Sequence, residues 1–223
     1  MSLKPLKKSD LGKDWVGRRR GKAVRIQPEY QLIFTEGTNT EPLYFNRMKE
    51  VIDNKFHDRI QLKVEGAGKN TISLFQKARK YVDNSPNDFR HVWIVFDTDD
   101  FPAGNIDQVI RLCDQTGGME TVYHAIWSNQ CIELWYLLHF SYIQSDLHRT
   151  EYWPKLTGSL RALGEEDYSK NRKDMFDVLR PFLDTAIQNA KKLEERNKGR
   201  TASASTPGTM IHKLMETMRP YLL

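Results

Sequence analysis

The 223-residue sequence predicts an α/β fold: a mainly parallel four-stranded sheet with helices on both faces and a helical C-terminal extension. Three observations predict it. Four short apolar runs alternate with helix-period segments between Tyr30 and Trp127, the signature of strands joined by helical crossovers. In the segments between them, apolar residues recur on single stripes suited to covering a sheet. After Asn129 the strand-like runs stop and the pattern reads as helical. The chain therefore divides into a basic, flexible N-terminal arm over 1–27, an α/β core over 28–145, and a helical extension over 146–223 packed on that core.

The first strand, Tyr30 to Thr35, is nearly continuous in apolar residues, as expected of a strand buried on both faces. A helix follows, with Thr40 as its N-cap, Glu41 and Pro42 in its first turn, and Tyr44, Met48, Val51 and Ile52 on one buried face. Arg59 to Glu65 alternates with period two and reads as the second strand. After Gly66-Ala67-Gly68, Asn70 or Thr71 caps a helix that buries Ile72, Phe75, Ala78 and Val82. His91 to Phe96 is the most apolar run and reads as a central strand. Ile106, Val109, Ile110 and Cys113 then give a helical stripe, and Thr121 to Trp127 the fourth strand. Right-handed crossovers are expected between parallel strands. Cys131 to Phe140 is apolar nearly all round and reads as a buried helix. Met175, Leu179, Phe182, Leu183, Ala186 and Ala190 mark a long amphipathic helix running to about Arg196, and a last helix spans Thr209 to Met218.

Composition narrows the class. With 39% hydrophobic, 28% charged and 11% aromatic residues, the chain has the makings of a real core and not of a disordered or collagen-like polymer. No run approaches the ~18 apolar residues of a membrane span, and no signal-peptide pattern opens the sequence; a cytoplasmic protein with no membrane association is expected. Cys113 and Cys131 form no framework, and no CxxC or HxxxH spacing holds zinc, so any metal is held by oxygen. The net charge is +5, yet Met1 to Arg25 alone carries nine Lys or Arg against two Asp, leaving the remainder at −2. Arg18, Arg19, Arg20 and Lys22 either lie along nucleic-acid phosphates or belong to a solvated tail; both readings stay open.

Ligands of open parallel sheets bind beyond the carboxyl ends of strands, and three strands end in acid. The first ends at Glu36-Gly37, the second at Glu65-Gly66, and the third at Asp97-Thr98-Asp99-Asp100. Alternate residues of an extended segment point the same way, so Asp97 and Asp99 converge on one cation. Crowded carboxylates repel, and a hard divalent ion such as Mg²⁺ (or Mn²⁺) relieves them. Acids also commonly end strands and open turns. Gly66-Ala67-Gly68-Lys69-Asn70-Thr71 lacks the spacing of a nucleotide-binding loop.

Other acidic α/β architectures place their carboxylates differently. A haloacid-dehalogenase-type phosphatase needs its Asp after the first core strand, and a response-regulator receiver needs paired acids there and a late Lys. One Glu after strand one and DxD after strand three instead resembles the Toprim domain of topoisomerases, primases and OLD-type nucleases. Five ordered segments narrow the resemblance: Phe34 to Phe45, Gly66 to Thr71, Trp93 to Asp100, Ser128 to Phe140, and Thr209-Met210-Ile211-His212-Lys213-Leu214. Together, over about residues 30–215, they resemble the RloB-like family. Gln130 departs from it, standing where many members have proline.

The resemblance implies a Toprim-like nuclease encoded among bacterial phage-defence genes, often beside an ATPase, and acting in abortive infection. By the same similarity Asp97 and Asp99 bind Mg²⁺, while Glu36 completes the metal shell or acts as general acid/base. A topoisomerase needs a positioned tyrosine, and Tyr44, Tyr136 and Tyr168 have no evident setting for one. The alternatives are a non-catalytic regulatory or nucleic-acid-binding partner of a defence ATPase, and a phosphotransfer enzyme acting on a nucleotide.

The remaining candidates carry two readings each. Glu133, in an apolar helix, is catalytic at the metal or pairs with a buried Arg or Lys, because an unpartnered carboxylate there is costly. Asp100 supports a ligand or opens a turn. Asn129 orients phosphate or caps the next helix. Lys213, beside the last family element, contacts phosphate or is solvated, as are Lys170, Arg172 and Lys173. His139 is read as a hydrogen-bonded core residue. The C-terminal stripe also suits a homodimer.

Overall fold

The computed structural model describes residues 27–68, 71–98, 102–118 and 120–222. The arm bearing Arg18, Arg19, Arg20 and Lys22, together with Asn70, Asp99 and Asp100, lies outside the described residues.

The strands form where the apolar runs predict them: β1 Glu29–Thr35, β2 Ile60–Gly66, β3 Phe89–Asp97 and β4 Val122–Ser128. They pair entirely in parallel in the order β2-β1-β3-β4. Both the first strand and the strand predicted central are thus internal. Leu32, Ile33 and Phe34 are all buried, which explains why β1 shows no polar alternation there.

Alternation along the strands divides the core between two faces. Leu32, Phe34, Val92, Ile94, Phe96 and Trp127 pack with residues of α2 (Thr71–Asp83) and α3 (Ala103–Thr116). Ile33, Trp93, Val95 and Ile126 face the second layer. That layer holds α1 (Thr40–Phe56), α4 (Glu133–Leu138), α5 (Arg149–Ala162), α6 (Met175–Leu179), α7 (Leu183–Arg196) and α8 (Ile211–Met218). The C-terminal helices share this core with α1 and the sheet. Tyr44 makes edge contacts with Phe45 and Phe176, and its hydroxyl accepts a 3.0 Å hydrogen bond from the Trp135 indole, joining α1 to α4.

Four local expectations need correction. Thr40 is the first residue of α1, not its cap, and its hydroxyl donates to the Lys170 carbonyl at 3.2 Å. Asn129 does not cap α4, whose N-cap position is Ile132. Between them Gln130 has φ +65°, a left-handed turn closed to proline, and the Asn129 carbonyl instead accepts from Cys131 N–H. The long stripe from Met175 is broken at Arg180–Phe182, a 3₁₀ turn containing Pro181, into α6 and α7. The last helix starts two residues late because Thr209 and Met210 are held at the end of β4: Met210 N–H donates to the Trp127 carbonyl, and Thr209 bridges Ser128 in antiparallel fashion.

Among the described residues no helix is long and apolar enough to cross a membrane.

Candidate functional site

Parallel pairing of β1 with β3 brings their carboxyl ends side by side. Thr35 is opposite Val95, and the next amide, Glu36 N–H, donates to the Val95 carbonyl at 2.9 Å. The side chain then reaches across: Asp97 N–H donates to a Glu36 carboxylate oxygen at 3.3 Å. The two acids foremost in the sequence reading are therefore neighbours, although 61 residues apart. They line an open cleft of about 500 Å³ with Gly37, Asn39, Glu41 and Lys170.

The glycines around the cleft hold the β1 end in place. Ala67 N–H and Gly68 N–H donate to the Thr35 and Glu36 carbonyls, each at 2.9 Å, so the Gly66-Ala67-Gly68 turn braces the Glu36 loop. Thr35 is fully buried, and its hydroxyl donates to the Gly37 carbonyl at 2.9 Å. A Cβ at Gly37 would collide with the Glu41 carboxylate. Any larger residue there would have to displace that carboxylate.

The sequence marks Glu41 only as a first-turn helix residue. It is buried, 6% exposed. Burial raises its carboxyl above the usual range and the nearby Glu133 charge adds to the effect, opposed by hydrogen bonds from its own and the Gly37 amides and by Lys170. Glu133 is 2% exposed. One of its oxygens accepts from the Tyr168 hydroxyl at 2.6 Å and from the Trp153 indole at 3.2 Å. These donors are neutral; among the described residues no Lys or Arg pairs with Glu133. The Cys131 thiol lies against Glu133, and burial, with the Glu133 and Asp97 charges, pushes it far up. Asp97, Cys131, Glu133 and Glu41 thus form one electrostatic neighbourhood. Tyr168 and Trp153 were missed because α5 and the loop after it reach Glu133 only in the tertiary fold.

Other candidates fall elsewhere. Lys213 pairs with Glu194 at 2.8 Å and lines a different depression with Trp127 and Arg200. Arg172 is committed to Asp174 and Glu165. His139 is a core residue: its Nδ1 lies 2.9 Å from the Trp135 carbonyl, and burial lowers it to about 4. Tyr44 and Tyr136 are buried in the core, whereas the Tyr168 hydroxyl reaches the site through Glu133.

Among the described residues no three His, Cys, Asp or Glu side chains are arranged to hold a metal ion, and Asp99 lies outside them. The donors that meet nevertheless suit a hard divalent cation: every candidate ligand is oxygen, and two buried acids repel one another. At the same strand ends Asn129 adds a buried Oδ1 with no hydrogen-bond partner, an acceptor that an ion or its bound water would satisfy.

A family model described as RloB-like protein matches residues 31–218. No curated protein and no solved structure matches the chain.

Proposed function

The chain belongs to the RloB-like family, and from that membership and the acids at its strand ends we propose a Mg²⁺- or Mn²⁺-dependent, Toprim-like nuclease that hydrolyses phosphodiesters of DNA or RNA in anti-phage defence. One observation carries the reading: Glu36 and Asp97 meet across adjacent strand ends in a cleft open to a polymer.

Asp97, with Asp99, would hold the ion, and Glu36 would border it. A bound divalent ion supplies charge to a phosphoryl oxygen and lowers the pKa of a coordinated water. In the hydrolysis a water oxygen bonds to phosphorus, the bond to the leaving sugar oxygen breaks, and that oxygen takes a proton from solvent. Glu36 would accept the proton of the attacking water. Lys170, at the rim, would offset the negative charge of a substrate phosphate next to the one cut. Glu133, fixed by Tyr168 and Trp153, keeps a second buried carboxylate near Glu41. Activity in the cell is proposed to depend on a partner, such as an ATPase encoded nearby.

The test is cleavage of mixed DNA and total RNA by the purified full chain with Mg²⁺, Mn²⁺ or EDTA, beside folded Glu36→Ala and Asp97→Ala variants. Metal-dependent cutting lost by at least 100-fold in both variants is the expected result, in the range of losing a group that stabilises the transition state. Cutting that survives both substitutions would remove these acids from the chemistry.

A further inference from the structure

Trp153 and Leu163 are the two large hydrophobic side chains exposed among the described residues. Leu163 stands alone at the end of α5, whereas Trp153, 39% exposed, stands beside the acid cluster. The buried face of α5 consists of Tyr152, Leu156 and Leu160, and Trp153 lies off that stripe. Core packing does not require an indole at this position.

Its orientation is nevertheless fixed. The indole N–H donates to Glu133 at 3.2 Å, on the same oxygen that accepts from Tyr168. The Lys170 ammonium lies 4.9 Å from the ring centroid, and Lys170 lines the cleft with Glu36 and Asp97. The Lys170 carbonyl is in turn held by Thr40 at the start of α1. An oriented aromatic plane therefore adjoins, through Lys170, the cleft whose carboxylates suit a metal ion. That order matches the parts of a nucleotide: base, phosphate, and the phosphodiester to be cut.

We propose that Trp153 is a stacking platform for an unpaired nucleobase, with Lys170 on the adjoining phosphate, so that the site takes single-stranded or locally unpaired nucleic acid. The inference rests on the nuclease reading and specifies its substrate class. A base within a duplex is already stacked on both sides and presents only its edges, whereas an unpaired base offers a free face. Base-aromatic stacking tolerates any sequence and contributes substantially to single-strand binding.

The test is binding of short fluorescein-labelled oligonucleotides to the full chain in EDTA, which prevents cutting, with a cleavage assay in Mg²⁺ alongside. The probes are a single DNA strand, its RNA counterpart, the DNA duplex, and a single strand with abasic sites. Trp153→Ala is expected to weaken single-strand binding roughly tenfold or more while leaving duplex and abasic binding unchanged. Trp153→Phe, which keeps a ring but loses the N–H to Glu133, is expected to stay within about threefold of wild type on single strands. If Ala and Phe are equally weak on every probe, the indole serves only to position Glu133 and the platform is refuted. If wild type binds and cuts while Trp153→Ala matches it on single strands, the platform alone falls. If wild type neither binds nor cuts any nucleic acid, the nuclease reading falls with it.

Discussion

At the scale of single residues the clearest energetic conflict is Glu41. Its carboxyl is buried and raised above its ordinary value of 4.5, by burial first and by the Glu133 charge in addition. The folded state therefore binds this proton more tightly than the unfolded chain does. Glu41 favours folding below its unfolded value and opposes folding as pH rises through the raised one. Glu41→Gln keeps an acceptor for Gly37 N–H and removes the charge. It is expected to raise Tm at about pH 8 and to leave Tm nearly unchanged at about pH 4, as read by thermal melts across that range. Added Mg²⁺ should raise the Tm of wild type more than that of the variant, because an ion that binds only the folded state stabilises by mass action. A lowered Tm at about pH 8 would mean that the carboxylate charge already has adequate compensation. Sequence alone made part of this site legible. Glu36 and Asp97 stand out because each interrupts an apolar run at a strand end. Glu41 looks like any acid in a first helical turn, and only its burial in the tertiary fold, with Glu133 nearby, makes its charge costly. Trp153 and Tyr168 carry no local signal either; α5 and its following loop fold back over α4 to deliver them.

At the scale of elements, the strands were legible because burial on both faces leaves a continuous apolar run, and the helical stripes because one face must meet the sheet. The starts and breaks of helices were less legible, being decided by partners distant in sequence. Thr209 is the sharpest case. Helical period alone includes it in the last helix, yet its side chain bonds the Ser128 hydroxyl at 2.8 Å in a fully buried setting. The same oxygen accepts from Ile211 N–H at 3.3 Å, opening α8. His212 extends the lock, with one ring nitrogen on the Thr209 carbonyl and the other 2.9 Å from Glu194 of α7. The last family element is thus a clasp between β4, α7 and α8, remote in role from the acids. Thr209→Val preserves volume but leaves Ser128 and the Ile211 amide short of a partner. It is expected to destabilise the fold by about 1–3 kcal/mol, measured by urea denaturation, with the metal dependence of cutting unchanged. A loss below about 0.5 kcal/mol would show that the clasp contributes little beyond backbone pairing.

At the scale of the whole molecule, stability toward acid is set by histidines that folding buries in neutral form. Burial lowers His139 and His124 to about 4, and lowers His91 as well, from an ordinary value of 6.5. The latter two lie on β4 and β3 with facing ring nitrogens 2.9 Å apart, and His124 stacks on Trp93. A second proton there would set like charges in contact. For a base with a lowered pKa the unfolded chain takes up the proton first. The stability contribution is therefore fully present above about pH 6.5 and is lost progressively as pH falls toward about 4. For His139, fully buried on α4's C-terminal side, the difference corresponds to on the order of 3 kcal/mol. Glu41 acts in the opposite sense over a range that opens upward from its ordinary 4.5 and so offsets part of this loss, but one carboxyl stands against several lowered histidines. Tm should consequently fall steeply across that interval. His139→Gln retains a donor for the Trp135 carbonyl and has no charge to acquire, so it should start from a somewhat lower Tm at about pH 7 and show a visibly flatter decline. Equal slopes in wild type and variant would assign the acid sensitivity to the other buried histidines, the His91–His124 pair across the sheet and His212, rather than to His139.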